Sequence, residues 1–420
     1  MFRVCGCKDR QANFAATKLF FAMELVRKAP ASGQTLRVIL AFALLPLSGL
    51  AMDVYIPSLP DMAAHLGVTP AAIQLTLPIF IISYGVCQLF IGSLLDSYGR
   101  YIPGLVALFG FGVSSFIIAT AHHITLIYAM RILQGLAVAT IVVGKRAYFV
   151  DTFSGTQLKH YTSLFSIIWA TAPIVAPFLG GFLQVHSGWQ ANFHFLGIFA
   201  MVMFVLELVF NRESLVSYHP FHLSSIARIY GSMLTARDFI AGLLVLALAY
   251  AMLLLYNMAS PFLIETLLHY PATVTGNCAL LSGVAVLCGG LLSKALITRP
   301  FAKKLRVAAL LQLIAAAGIA LFTLYHSNLY TLLAYVVVLH LLGGFIFNNL
   351  FSYCLMLFPQ HAGKSGGLTG GGFGIFTSIF SYFLVGSLQV DSQALLGLGY
   401  GVLAAATLLL IVFTRWKQEH

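Results

Sequence analysis

The sequence has very little charge and few of the groups on which enzyme sites are built. Only 8% of its 420 residues are Asp, Glu, Lys or Arg, whereas an ordinary soluble domain has about 25%. It contains no Walker-type phosphate loop and no GxSxG elbow. The histidines do not cluster as metal ligands do, and the Cys5–Cys7 pair lacks the further ligands of a zinc site. We therefore expect neither an enzyme, nor coupling to ATP, nor a bound metal or cofactor.

Long apolar runs are what the sequence has in abundance. The chain is 60% hydrophobic, with a mean hydropathy of +0.93, and a helix needs about 20 mostly apolar residues to cross a bilayer. The sequence therefore predicts an all-α, multi-pass membrane protein. Its twelve predicted spans are 36–57, 72–95, 102–121, 124–147, 161–185, 190–210, 237–263, 274–297, 305–325, 328–355, 366–388 and 393–414.

The basic residues fix the predicted topology. If the N-terminus is cytoplasmic, all of the 23 Lys and Arg except Arg131 fall on the cytoplasmic side, and the outer loops hold none. The positive-inside rule then places both termini inside. The net charge of +11 is spread over these loops, so it does not predict a nucleic-acid partner.

A polar stretch near the middle divides the chain, with six predicted spans on each side. Two six-helix halves, related by an axis along the membrane normal, are a known transporter plan. The predicted segments are an N-terminal tail (1–35), a first half (36–210), a central cytoplasmic loop (211–236), a second half (237–414) and a C-terminal tail (415–420). The sequence leaves open whether translation starts at Met1 or Met23.

Small residues recur every fourth position in two spans. They are Ala172, Ala176 and Gly180 in span 5, and Gly366, Gly370 and Gly374 in span 11. Such stripes let membrane helices approach closely. Because the two spans occupy equivalent places in the two halves, we expect both stripes to lie where the halves meet.

The loop between spans 2 and 3 reads "GSLLDSYGRYIP". Its Asp96 can accept from backbone amides at a neighbouring helix N-terminus, and its Arg100 can reach another carboxylate. With Gly92 and Gly99 at the ends of the turn, these residues predict a latch that holds the cytoplasmic side closed.

Several motifs together resemble one known family. The loop above resembles the GxLxDxxGRR loop of the major facilitator superfamily, and "RILQG" at 131–135 is similar to that superfamily's helix 4 motif. "APIVAPFLGG" resembles the antiporter motif of its drug/proton exporters, and "MDVYIPSLPDM" is similar to bicyclomycin/chloramphenicol-resistance (Bcr/CflA-type) exporters. The resemblance is strongest over residues 50–210.

The resemblance implies roles for particular residues. It adds Arg146 and Asp151 of "KRAYFVD" to the cytoplasmic gate, which comprises Gly92, Asp96, Gly99, Arg100, Arg146 and Asp151. The antiporter motif comprises Ala172, Pro173, Ala176, Pro177, Gly180 and Gly181. Ser97, Tyr101 and Val150 stand where the family has basic residues, which puts the substrate range in question.

Two charges lie in the outer halves of predicted spans, Asp53 in span 1 and Arg131 in span 4, at similar depth. Each costs about 2.5–3.5 kcal/mol at the membrane centre, so we expect them to neighbour each other. The resemblance places these positions in the proton-coupling machinery. A purely structural pair is the alternative.

Other polar residues inside the spans are candidates for a substrate cavity. Each could equally make an interhelical hydrogen bond. Glu207, near the cytoplasmic end of span 6, is expected to extend to the membrane interface or to pair with a basic loop residue. The candidates are Tyr84, Gln88, Gln134, Tyr250, Asn257, His340 and Asn349.

The resulting prediction is a monomeric transporter in a bacterial-type inner membrane, which exports a small amphipathic compound in exchange for protons. One alternative is a dedicated carrier for one metabolite, such as a siderophore. Another is a membrane scaffold or sensor that transports nothing. The sequence does not fix substrate, direction or stoichiometry.

Overall fold

The computed structural model describes residues 33–388, 390–414 and 416. Most of the N-terminal tail lies outside this part of the chain, including Cys5, Cys7 and Met23, as do Arg415 and most of the C-terminal tail. Within these residues all regular structure is helical, which confirms the all-α prediction.

Eleven helices of the described chain are long and apolar enough to cross a membrane. Each begins and ends within a few residues of a predicted span, apart from the longer outer end of the first. They are α1 (Gln34–Leu66), α2 (Pro70–Tyr98), α3 (Tyr101–Ala119), α4 (Ile124–Thr152), α6 (Gln190–Phe210), α7 (Arg237–Leu267), α8 (Ala272–Ala295), α9 (Phe301–Phe322), α10 (Leu329–Met356), α11 (Gly363–Leu388) and α12 (Gln393–Phe413).

The remaining predicted span is occupied by α5 (Gly155–Ser187), a helix of 33 residues. At about 1.5 Å per residue it exceeds the roughly 30 Å thickness of the hydrocarbon core. It is not among the eleven helices above. That α5 is the twelfth membrane span therefore stays a prediction.

Three of the long helices are interrupted. In α1, prolines at 46 and 57 break the helix because proline lacks an N–H, and α2 bends just after its first turn, Pro70–Gln74. The pieces of α1 are Gln34–Leu44, Leu47–Asp53, a 3₁₀ turn Ile56–Ser58, and Leu59–Leu66. In α7, a π-helical turn, Phe262–Leu267, follows Pro261. Asp53 therefore ends a helical piece in the middle of a span.

The helices form two bundles, which we call the N half (α1–α6) and the C half (α7–α12). The halves meet where α5 packs on α8 and where α2 packs on α11. Between the halves a short amphipathic helix, the linker helix (Leu223–Leu234), packs against α7 and α11.

Candidate functional site

Asp53 lies where the two halves meet. Its side chain is 1% exposed, and its Oδ1 accepts a hydrogen bond from Asn257 Nδ2 of α7 at 3.4 Å. Its Oδ2 is buried and has no hydrogen-bond partner. A buried acceptor left unpaired costs about 1–3 kcal/mol, so the structure holds this carboxylate at a cost, at the boundary between the halves.

Arg131 is fully buried in the N half. Its Nη1 donates to the Ala51 carbonyl at 2.9 Å and to Gln134 Oε1 at 2.8 Å. The guanidinium also lies 4.6 Å from the ring centroid of Tyr55 and 4.5 Å from that of Phe80. These contacts hold the arginine against the backbone and rings of α1 and α2.

The expected direct contact between Asp53 and Arg131 is therefore corrected. Among the residues described, no ion pair joins them, because a carbonyl two residues before Asp53 takes the guanidinium instead. The charge of Arg131 still acts on Asp53 through space. Asp53 of α1 and Arg131 of α4 are neighbours, as expected, but they do not form an ion pair.

Gln134 was expected to line a substrate cavity, but it lies in the core of the N half. It is 0% exposed, accepts from Arg131, and donates to Ser115 Oγ of α3 at 2.9 Å. Because residues three apart share a helix face, Gln134 orients the arginine one turn before it.

Four predicted cavity residues do meet on the surface between the halves, which we call the seam. Asn257 donates a hydrogen bond to Asp53. Tyr250 lies close enough to Asp53 and Tyr84 to interact electrostatically with both. The Tyr250 ring packs against Phe347 and Phe373, with centroids 5.6 and 5.4 Å away. Gln88 lies further along α2, at the α11 contact described below. The seam thus combines one carboxylate with aromatic rings and amides.

His340 and Asn349 do not join them. The His340 Nδ1 lies 2.6 Å from Ser282 Oγ, its Nε2 lies 3.3 Å from the Tyr400 hydroxyl, and its ring packs edge-on against Tyr256. Asn349 donates to the Phe345 carbonyl of its own helix. Both belong to the interior of the C half.

At the cytoplasmic end, Arg100 joins three helices. Its Nη2 contacts Asp96 Oδ1 of α2 at 3.0 Å, and its Nη1 contacts Asp151 Oδ2 of α4. Gly92 faces Val143 of α4. Arg146 is half-buried and belongs to none of the ion pairs of the described residues; its charge acts on Tyr84.

Sequence reasoning missed one residue that contacts this predicted gate, Glu213. Its carboxylate accepts from the backbone amides of Arg100, at 2.9 and 3.0 Å, and of Tyr101, at 3.0 Å. It therefore caps the N-terminus of α3, the role that the sequence suggested for Asp96. Gly99 has a φ of +89°, and a Cβ there would lie 2.5 Å from Glu213 Oε2. Both the turn and the approach of this carboxylate therefore require glycine. The one available signal was an acid directly after span 6, in "NRES".

The rest of the loop after α6 is fixed to the same gate. Ser214 Oγ donates to Asp151 Oδ2 at 3.0 Å, and the His219 amide donates to the Asp96 carbonyl at 3.0 Å. Further along, the Tyr230 hydroxyl of the linker helix donates to the Leu89 carbonyl of α2 at 2.8 Å. Burial raises the pKa of Tyr230 to about 12, so this hydroxyl keeps its proton at neutral pH. The segment that connects the halves is therefore hydrogen-bonded to α2 at two positions, Asp96 and Leu89.

Glu207 near the cytoplasmic end of α6 pairs with Lys145 Nζ at 2.5 Å. The expected partner of Glu207 was a basic loop residue, whereas Lys145 lies inside α4. The Asn211 amide donates to the same carboxylate oxygen, so this pair ties α4 to the end of α6.

The two small-residue stripes face different partners. In α11, a Cβ on Gly370 would meet Gln88 Oε1 at 2.8 Å, and a Cβ on Gly371 would meet the Gly85 carbonyl at 2.4 Å. Gly370 and Gly374 of this stripe therefore face α2 of the other half, as expected, together with the adjacent Gly371. A Cβ on Gly366 would instead meet Leu355 of α10 in the same half.

The α5 stripe packs within its own half, which corrects the expectation. A Cβ on Gly180 would lie 1.5 Å from the Val54 carbonyl of α1, and one on Gly49 would lie 2.6 Å from Ala172 Cβ. Ala176 is fully buried beside them. The seam with α8 is formed by neighbouring positions of the antiporter motif instead: Pro177 meets Gly276, and Gly181 meets Ala272, while Pro173 lies inside the helix.

No group of three or more His, Cys, Asp or Glu that could hold a metal ion occurs in the part of the chain that the structure describes.

Comparison with known proteins supports the fold and the motifs. The family model of the Major Facilitator Superfamily matches residues 41–381. "Uncharacterized MFS-type transporter YdgK" of Bacillus subtilis is 28% identical over 80% of this chain and 85% of its own. "Bicyclomycin resistance protein homolog" of Haemophilus influenzae is 24% identical over 82% and 87%. "Multidrug resistance protein D" of Escherichia coli is 32% identical, over 36% of this chain and 39% of its own. The resemblance to this group of transporters is confirmed.

Solved structures show the same fold at low identity. A mutant of the nucleoside transporter NupG superimposes with a TM-score of 0.68 at 13% identity, over 89% of this chain and 98% of its own. A D-xylose–proton symporter gives 0.66 at 14%, over 90% and 97%. The protein is thus a multi-pass protein of the cytoplasmic membrane, and a transporter rather than an enzyme.

Proposed function

The chain belongs to the Major Facilitator Superfamily, and on that premise we propose that it is a proton-coupled antiporter that exports small amphipathic compounds. The observation that carries the proposal is Asp53, a buried carboxylate on the seam whose one described partner, Asn257, belongs to the other half. Relatives named for multidrug and bicyclomycin resistance support the substrate class.

Asp53 is suited to couple protons to movement. Desolvation and nearby charge both act on the protonation equilibrium of a carboxylate, and rocking of the halves changes both, because it separates Asp53 from Asn257. Substrate that enters the seam also changes the desolvation of Asp53 and the charge near it. Binding of a proton and binding of substrate therefore favour different arrangements of the halves, which is what exchange requires.

Arg131 and Gln134 act on Asp53 indirectly in this proposal. The guanidinium fixes the α1 backbone at Ala51, and Gln134 fixes the guanidinium. Substrate contacts Tyr84, Gln88, Tyr250 and Asn257 between the halves. The cytoplasmic gate, extended by Glu213, stabilises the N half when the inner side is closed.

The remaining features of the proposal concern organisation and energy. The halves are residues 36–210 and 237–414, the loop 211–236 and both tails face the cytoplasm, and the protein works as a monomer without a cofactor. The proton gradient supplies the energy, roughly 2.3 kcal/mol per charge for each 100 mV.

The test measures proton flux in everted membrane vesicles that contain a pH-sensitive dye. The vesicles are energised, and chloramphenicol-like drugs, lipophilic cations and iron chelators are added one at a time. We expect at least one compound to collapse the gradient with the wild type and to leave it intact with Asp53→Asn at matched expression.

Asp391→Asn is the matched control, because it removes an exposed acid of the loop between α11 and α12, and it should behave as the wild type. If Asp53→Asn responds to a compound as the wild type does, Asp53 does not couple the proton. If only iron chelators act, the protein is the dedicated siderophore carrier rather than a drug exporter. If no compound acts, drug export is contradicted.

A further inference from the structure

A second carboxylate, Glu265, lies at the outer end of α7. It is half-buried, and Thr275 Oγ1 of α8 donates to its Oε1 at 2.7 Å. It belongs to none of the ion pairs found among the described residues. An ionisable group in a membrane span without a counter-charge is expensive and is expected to have a function. The proposed function does not use it.

The π-helical turn brings Glu265 toward the face of α7 that carries Asn257. The Leu268 amide donates to the Leu263 carbonyl five residues earlier, so the turn takes up about one residue more than an α-helical turn. Eight residues separate Asn257 from Glu265 in the sequence, which in a regular α-helix places them about 80° apart. With one residue absorbed, the separation corresponds to about seven residues, the spacing of one helix face.

The neighbours of Glu265 agree with this placement. The outer piece of α1, Leu59–Leu66, packs against the π-helical turn, just as Asp53 of α1 meets Asn257 one level deeper. Between these levels, Gln74 of α2 donates to the Met258 carbonyl at 2.7 Å. Polar groups thus follow the seam from Glu265 inward to Asp53.

Among the described residues, the charged and titratable groups around Glu265 include no fixed cation. From α1, the negative charge of Asp61 acts on Glu265, while Asp61 itself accepts from Gln184 at 2.8 Å. His65 of α1 packs edge-on against Trp189. His269, with a φ of +60°, and Tyr270 lie in the adjoining loop to α8. The outer loops contain no Lys or Arg.

We infer that Glu265 takes up the coupling proton from the outer side and delivers it to Asp53. A proton from the outer water adds to the Glu265 carboxylate. It leaves when that O–H bond breaks, and it passes through water to the carboxylate of Asp53, which releases it to the cytoplasmic side after the halves have moved. This inference rests on the proposed role of Asp53, but it names a different residue and a different step.

The experiment follows carboxyl protonation directly and needs no substrate. Right-side-out membrane vesicles with the full-length protein are acidified from outside, and time-resolved infrared difference spectra record the C=O stretch of protonated carboxyl groups. Asp53→Asn identifies the Asp53 band and Glu265→Gln the Glu265 band. We expect the Asp53 band to rise about tenfold more slowly, or slower still, in Glu265→Gln than in the wild type.

Two further variants distinguish a defect in proton delivery from a defect in the structure of the protein. Glu265→Asp, which keeps a carboxylate, should restore a fast rise, and Asp391→Asn should match the wild type. A structural defect lowers the melting temperature of both Glu265 variants alike, whereas loss of delivery slows only Glu265→Gln.

An unchanged rise of the Asp53 band in Glu265→Gln overturns this inference and leaves the proposed function standing. An equally slow rise in Glu265→Asp also overturns it, because a retained carboxylate should deliver the proton. If Asp53→Asn removes no band, Asp53 does not take up the proton, and the proposed function fails instead.

Discussion

The two halves bury polar groups in different ways. The N half buries charge: Arg131 lies among backbone carbonyls and aromatic rings, and Lys145 pairs with Glu207. All the ion pairs of the described residues lie in this half. The C half buries neutral groups, such as His340 with Ser282 and the hydroxyls of Thr377 and Ser381, which donate to carbonyls of α7.

This difference assigns different tasks to the halves. A buried charge without compensation costs several kcal/mol, whereas a neutral hydrogen bond contributes about 0.5–1.5 kcal/mol. We therefore propose that movement of charge and proton is concentrated in the N half and at the seam. The C half serves as a partner of fixed packing that presents Asn257 and Glu265 to it.

The largest effect is expected for Arg131→Met. Removal of the guanidinium leaves the Ala51 carbonyl and Gln134 Oε1 unpaired in the interior, and each such group costs about 1–3 kcal/mol. We expect the melting temperature of the detergent-solubilised protein to fall by several degrees and transport to be lost.

Arg228→Met is the matched control, because Arg228 is exposed on the linker helix and its replacement should change neither quantity. Arg131→Lys should recover part of the stability, since one ammonium cannot reproduce the forked geometry. Normal stability and transport in Arg131→Met would show that the buried charge of the N half is dispensable.

An intermediate effect is expected for Glu213→Ala. The change removes the acceptor for the amides of Arg100 and Tyr101, and loss of a helix cap typically costs about 0.5–2 kcal/mol. The loop between α2 and α3 should open more often. Hydrogen exchange at these two amides should therefore become about 2- to 30-fold faster.

Asp238→Ala serves as the control, because Asp238 lies in the first turn of α7 and contributes only its charge at a helix N-terminus. Exchange at residues 100 and 101 should be the same as in the wild type. If hydrogen exchange at residues 100 and 101 is as slow in Glu213→Ala as in the wild type, water replaces Glu213 without cost. This carboxylate then does not belong to the gate.

Local features of the fold could be predicted from the sequence. Eleven spans follow from length and hydropathy alone, because a lipid-facing helix satisfies its backbone within itself.

Contacts between distant parts of the chain could not be predicted. Similar depth suggested that Arg131 contacts Asp53, but depth does not determine which of several nearby acceptors a guanidinium takes, and it takes the Ala51 carbonyl. Glu213 acts 113 residues from Arg100. The small residues of α5 showed that some helix approaches closely, but not that the helix is α1 of the same half.

The smallest effect is expected for His340→Gln, which tests the neutral side of the comparison. Gln can donate to one neighbour and accept from another, as the His340 ring does with Ser282 and Tyr400. We expect a stability loss of at most about 0.5–1.5 kcal/mol, the contribution of one neutral hydrogen bond, and proton-coupled transport within about twofold of the wild type when both are assayed at the same protein level. Asn257→Ala, at the seam, provides the contrast, because it deletes the partner of Asp53 across the halves and should alter coupling although it removes fewer atoms. If His340→Gln abolishes proton coupling while the protein stays folded, the packed interior of the C half also handles the proton, and not only Glu265 at the seam. The division between a charged N half and a neutral C half then no longer holds.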